Sequence, residues 1–267
     1  MKMIMHCGHH KCGSVLFGTV LRKICKYLNL TFRGTKGPEK KGIYTSYDVV
    51  IFANSTVDFT KISRPYTGTH MIRDPRDVIV SGYLYHARCK EEWCANLPDT
   101  TKTPVEFPQI PYSQYLRPEK WKREYMHSLN GSSYQDNINS RDQQEGLIFE
   151  MNNYGRWTIE SMLAWNYENP HIMELQFEEV MRDFMGSFEQ VFTHYELPLS
   201  LSSELLGLIA SENISNLSEK EIQESQHIHS RQTSKWKEYF SPRHKALFKD
   251  MFGDALIKLG YERNNNW

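Results

Sequence analysis

The chain predicts an α/β fold, a parallel central sheet flanked by helices, and three stretches carry that expectation. Met3 to Met5 is a short apolar run that breaks at Gly8 and gives way, past Gly13, to apolar residues Phe17, Val20, Leu21, Ile24 and Leu28 at helical spacing. Asp48-Val-Val-Ile-Phe-Ala53 is continuously apolar after its first residue, as suits a strand covered on both faces. Thr69-His-Met-Ile-Arg73 repeats the first arrangement, a strand followed by a turn and a helix reaching Tyr85.

The first of these is the richest in chemistry. Glycines let the backbone curl, the N–H groups at a helix start converge, and the helix dipole makes that point attractive to an anion. Lys11 adds a full positive charge, and Gly13 and Ser14 open the helix. The stretch therefore reads as a phosphate cradle. It differs from a nucleoside-triphosphate loop, because Gly8 and Gly13 have the right separation but Ser14 stands where the lysine of Gly-Lys-Ser/Thr belongs. His6, Cys7, His9, His10 and Cys12 crowd one strand and turn, whereas zinc ligands come in pairs separated by a loop, so no metal is expected.

Further along, Arg33 to Lys41 is glycine-rich and basic and reads as a surface connection. Asn54 to Asp58 follows the second strand and opens on the edge where ligands bind in open α/β sheets. In the third stretch Asp74 is placed as an N-cap, Pro75 as the first helical residue and Asp77 in capping-box position, with Arg73 at the strand's exit and Ser81 two turns into the helix. From Ala87 to Gly146 prolines and polar runs interleave with Trp93, Tyr112, Tyr115, Trp121 and Tyr125, so residues 87–146 are expected to form an irregular lid inserted in a single domain spanning 1–267. Helical spacing resumes over Tyr154 to Tyr167, a strand over Ile172 to Phe177, and helices over Glu178 to Tyr195, Leu201 to Ala210 and Pro242 to Leu259.

Lysines and arginines number 32, as do aspartates and glutamates, so no general attraction to nucleic acid or an anionic membrane follows and any anion site is local. No apolar run approaches a membrane span, and the first strand begins too early for a signal peptide. Five cysteines, an odd number, suit a reducing compartment, which places the protein in the cytoplasm.

Two of these motifs together carry a family resemblance. His10-Lys11-Cys12-Gly13-Ser14 resembles the Pro-Lys-Ser-Gly-Thr loop of PAPS-dependent sulfotransferases, and Arg73-Asp-Pro-Arg-Asp-Val-Ile-Val-Ser81 resembles that family's 3′-phosphate segment with its spacing intact. The resemblance implies the P-loop-like sulfotransferase fold, PAPS as co-substrate with PAP as product, a small-molecule hydroxyl or amine as acceptor, and no metal. It assigns Lys11, Cys12, Gly13, Ser14 and Val15 to the 5′ side of the nucleotide and Arg73 and Ser81 to its 3′-phosphate, with Arg231 or His229 standing in for a C-terminal Arg-Lys-Gly ahead of Trp236. Leu175 to Val180 is similar to the family's Tyr-Glu-Asp-Leu junction, with Phe177 for the tyrosine. One departure is plain: where cytosolic members carry a histidine base after the second strand, this chain has Asn54. His10 is the first substitute, then Asp58, with Glu39 a third. Two other readings stay open, a non-catalytic nucleotide-binding protein and a nucleotide kinase; the missing Gly-Lys-Ser/Thr argues against the kinase. Acceptor identity and oligomeric state are open.

Overall fold

The computed structural model describes residues 2–35, 46–97, 119–218, 220–221 and 232–267. Glu39, Tyr112, Tyr115, His229 and Arg231 lie outside the described residues. In chain order the main elements are β1 (Met3–Gly8), α1 (Ser14–Leu28), β2 (Phe32–Thr35), β3 (Val49–Ala53), β4 (Tyr66–Ile72), α2 (Pro75–His86), α3 (Glu92–Ala95), α4 (Glu119–Ser128), α5 (Tyr134–Asn139), α6 (Gln143–Asn152), α7 (Tyr154–Leu163), β5 (Ile172–Gln176), α8 (Phe177–Arg182), α9 (Phe184–His194), α10 (Leu199–Ile209), α11 (Trp236–Tyr239), α12 (Pro242–Phe252) and α13 (Ala255–Lys258). They group into two compact units, 1–73 with 165–222 and 74–164 with 223–267.

The first unit holds the sheet, five parallel strands in the order β2-β3-β1-β4-β5. The register pairs Cys7 with His70 and His70 with Glu174, so β1, β4 and β5 end together. All six residues of β1 are buried, as a central strand with both faces covered requires. Helix α1 turns Leu16, Phe17, Val20, Leu21, Ile24 and Cys25 inward. Phe17 stacks on His6 at 4.0 Å and meets Phe188 of α9 at 5.0 Å. Burying a side chain of that size contributes about 1.5–3 kcal/mol, which is what holds the helix to the sheet. The glycine-rich stretch after α1 begins with a strand, β2, rather than a loop; only four residues long and exposed at Arg33 and Gly34, it has no period to recognise. The helix expected over Glu178 to Tyr195 is two helices, because Asp183 leaves α8 with φ −137° and caps α9 by accepting from the Gly186 N–H.

The second unit is helical. Asp74 caps α2 by accepting from the Arg76 N–H, and Pro75 follows as its first residue. Its interior is organised round one carboxylate: Glu150 accepts from Tyr134 OH at 2.9 Å and lies 2.8 Å from His86 Nδ1. The Tyr134 oxygen in turn accepts the Tyr154 N–H at 3.2 Å. Glu150 also lies against Gly82, where an added Cβ would fall 2.3 Å from Oε1, so only glycine fits there. Burial pushes the Tyr134 phenol well above its ordinary range. The expected irregular segment is more regular than its composition suggests. Residues 119–146 form α4, α5 and the start of α6, with a Ser133–Asp136 capping box and an Asp142 cap marking the starts of α5 and α6. Residues 98–118, which hold all five of its prolines, are outside the described residues.

Candidate active site

The carboxyl ends of the strands of the first unit carry the candidate site. After β1 the chain makes a turn in which Lys11 (φ 60°) and Gly13 (φ 82°) are both left-handed. Gly13 is obligatory: a Cβ there would meet Met71 Cε at 2.5 Å and the Phe177 ring at 3.0 Å, besides the strained φ. Gly13, the N-cap of α1, has no side chain with which to cap the first N–H groups of that helix. This is the arrangement an anion needs at a helix start.

The turn is tied down from beneath by the carbonyl of His9, which accepts the Cys12 N–H at 3.1 Å and the Ser14 hydroxyl at 3.2 Å. The Cys12 amide is therefore engaged inside the turn. Its side chain is wholly buried and its thiol pushed up by that burial. Val15, at the helix start, is half exposed.

Arg73 leaves β4 only 6% exposed and donates from Nη1 to the Lys11 carbonyl at 3.2 Å. Its guanidinium lies over Phe177, 4.6 Å from the ring centre. Phe177 thus has a role the sequence does not announce: it forms a platform that supports both Gly13 and Arg73. Lys11 and Arg73 are brought together. The neighbouring acids are engaged elsewhere. Asp74 binds Arg76 at 2.7 and 3.0 Å, and Asp77, expected in a capping box, instead accepts the N–H groups of Ser234 and Trp236 at 2.7 and 3.0 Å. Arg76 also reaches Glu262 at 2.7 Å and lies over the rings of Trp236 and Trp267, 3.8 and 4.7 Å from their centres. Ser81 belongs to the second unit, in α2, and is 5% exposed.

Of the candidate bases, His10 lies in the turn and is partly exposed. Asp58 is committed to a turn of 3-10 helix at Phe59–Lys61, accepting from the Thr60 N–H at 3.1 Å and the Thr60 hydroxyl at 2.6 Å and pairing with Lys61 at 3.0 Å. The Thr60 hydroxyl first, and then Lys61, hold its carboxyl below the usual range, which makes it a poor proton acceptor. Asn54 and Ser55 are consecutive left-handed residues, φ 56° and 52°, held by hydrogen bonds from the Ser55 and Thr56 N–H groups back to Phe52 and Ala53. Among the described residues no group of histidine, cysteine or acidic side chains is arranged to hold a metal.

A histidine array missed by motif reading underlies the turn. His9 Nε2 lies 2.8 Å from His70 Nε2, and His70 Nδ1 lies 2.5 Å from Glu174 Oε2. Trp165 stacks on His70 at 4.0 Å and donates its indole N–H to Glu174 Oε1 at 3.0 Å. Burial pushes His70 down to about 3 and Glu174 up to about 7.

The sulfotransferase domain family model matches residues 69–260, well over half of the chain, and the chain belongs to that family. The Lys11 turn precedes the matched residues, so its assignment rests on the geometry above and on its motif. Mouse sulfotransferase SULT7A1 complexed with PAP has a similar fold, with a TM-score of 0.54 and 12% identity over 98% of this chain and 87% of that one. Retinol dehydratase in complex with androsterone and inactive cofactor PAP aligns at a TM-score of 0.47 and 12% identity, over 96% of this chain and 81% of that one. No curated protein sequence matches the chain. No helix among the described residues is long and apolar enough to cross a membrane.

Proposed function

We propose that this sulfotransferase takes the sulfuryl group of PAPS and passes it to a hydroxyl or amine of a small molecule, holding the donor's 5′ side at the Lys11 turn. The observation that carries the reading is the convergence of Lys11, the glycine-capped start of α1 and Arg73 on one strand-end turn. The donor fits the residues present: an anion suits a helix start whose N-cap is a glycine, and that glycine has no room for a Cβ. When bound, PAPS supplies an activated sulfuryl group and leaves as PAP, so negative charge builds on the 5′-phosphate during transfer. The N–H groups of Ser14 and Val15 are fixed beforehand at the helix start to receive that charge, with the Lys11 ammonium beside them in the proposal; a single preorganised donor is typically worth about 3–4 kcal/mol. Arg73, held flat by Phe177 and the Lys11 carbonyl, presents a fork suited to phosphate oxygens, and the resemblance of its motif supports Ser81 as a 3′-phosphate residue. His10 takes the acceptor's proton in preference to Asp58, whose carboxylate is occupied by Thr60 and Lys61. None of the five cysteines, all described, forms a disulfide, which supports a reducing compartment such as the cytosol.

The test is calorimetry with PAP. Lys11→Ala and Arg73→Ala each remove a charged hydrogen-bond donor, worth about 1.5–3 kcal/mol, and should weaken binding roughly ten- to hundredfold. Unchanged affinity in both variants overturns the assignment. A second reading, a nucleotide-binding protein without catalysis, is favoured by one observation, Asn54 in the family's base position. Labelled PAPS offered with a panel of phenols, alcohols and amines separates the two, since the second reading gives binding without labelled product.

A further inference from the structure

The His9–His70–Glu174 array has a property the transfer reaction, as described, does not use: it joins the phosphate turn to the surface through shared protons. His9 and His70 are wholly buried, whereas the Glu174 side chain is 32% exposed and sits on β5. With Glu174 ionised, Oε2 accepts from His70 Nδ1–H, so His70 Nε2 accepts from His9 Nε2–H. With Glu174 protonated, every bond reverses. The carboxyl donates to His70 Nδ1, His70 Nε2–H donates to His9, and the hydrogen of His9 moves to Nδ1. The one proton taken from water at β5 therefore stays on Glu174, both imidazoles remain neutral, and the tautomer changes as far as His9, whose carbonyl holds Cys12 and Ser14 in the turn.

We propose that His9, His70 and Glu174 are positioning residues for the Lys11 turn and that filling the turn with the nucleotide's phosphate draws one proton from solvent into this array. The proposal rests on the PAPS assignment above. Its reason is electrostatic: an anion arriving at the turn makes the array's negative charge costly, and Glu174 discharges it by binding a proton. The net bond made is the O–H of the Glu174 carboxyl, and its proton comes from bulk water.

Burial sets Glu174 to exchange that proton near neutral pH. The groups facing the array do not compete there. On β1, His6 is pushed down to about 3 by burial and by His70 and His9, and the Cys7 thiol is pushed up. Burial raises Tyr167, which lies edge-on to His70 at 5.7 Å, and also the Cys12 thiol in the turn. Trp165, stacked on His70, does not titrate.

The experiment is PAP titration calorimetry of the full chain at pH 7.5 in buffers of different ionisation enthalpy, with affinity followed from pH 6 to 8.5. The wild type should take up a substantial fraction of a proton, its affinity falling by up to about tenfold per pH unit above pH 7. Glu174→Gln, at a partly exposed position, and His70→Gln should each abolish that uptake and flatten the profile. The titration of PAP itself is common to all three proteins and cancels in the comparison. A purely structural role would weaken binding equally at every pH. Equal proton uptake by the wild type and Glu174→Gln overturns the proposal, while a wild type that binds no PAP overturns the donor assignment on which it rests.

Discussion

Gly13→Ala concentrates the reasoning about the turn in one methyl group. At φ 82° an alanine sits in the left-handed region, a cost of about 1–2 kcal/mol. The new Cβ falls 2.5 Å from Met71 Cε, which can swing away, and 3.0 Å from Phe177 Cδ2, which is pinned beneath Arg73. Moving that ring adds about another 1 kcal/mol, on the scale of core overpacking. The total of about 2–3 kcal/mol lowers the melting temperature by roughly 5–10 °C in a chain of this size. Displacing Phe177 also tilts Arg73, so PAP affinity should fall at least about tenfold, equivalent to about 1.4 kcal/mol. Urea titration and PAP calorimetry read the two effects separately. Gly34→Ala is the control, since nothing lies within 4 Å of a Cβ there and the residue is exposed on β2. If Gly13→Ala matches Gly34→Ala in both stability and affinity, the turn is not the tightly packed cradle described here.

Three further outcomes follow from the same contacts. Asp77→Ala strips the acceptor from two backbone N–H groups, at Ser234 and Trp236, and should cost about 2–4 kcal/mol in urea titration; Asp77→Asn, which keeps one acceptor, should recover part of it. Acidification should destabilise the protein steeply between pH 6.5 and 4.5. His6, His9 and His70 have folded pKa values below their unfolded one, so the unfolded chain binds three more protons in that window, and their stabilisation is complete above 6.5 and lost as pH falls. Glu174, raised to about 7, works the other way and binds one more proton in the folded state, a contribution reduced by its partial exposure. The net of about two protons gives a slope of about 2–3 kcal/mol per pH unit, checked by urea midpoints across the range; a flat profile would contradict it. Asp58→Ala should lose about 1 kcal/mol of stability with the Thr60 cap yet keep most turnover, whereas His10→Asn should depress turnover with PAP affinity retained.

How much of this was legible in the chain depends on how far apart the partners are. The strand, turn and helix at Met3 to Leu28 and the Asp74-Pro75 helix start are local chemistry, readable from adjacent residues, and both stand where they were expected. Asp77 looked local too, because capping-box spacing is a local signal, but its partners are 157 and 159 residues away, and the claim of two backbone N–H groups, one buried and one partly buried, prevails. The His9–His70–Glu174 array is split over separations of 61 and 104 residues and exists only through strand register, which no periodicity reveals. Phe177 read as a tyrosine that had lost its hydroxyl. Its service as a platform for a cation appears only once Arg73 is set above it. In residues 119–146 the capping residues Ser133 and Asp142 were present as signals, but prolines upstream drew attention to irregularity instead.

Trp165 gives the array an optical voice. Its indole lies face to face with the His70 ring, 13° from parallel, and its N–H is anchored on the Glu174 carboxylate, so any redistribution of hydrogen between those two groups changes the electric field across the chromophore. The wild-type spectrum minus that of Trp165→Phe isolates this one fluorophore among the six tryptophans. A nanosecond lifetime measurement on unlabelled protein can then follow the state of the nucleotide turn without touching it.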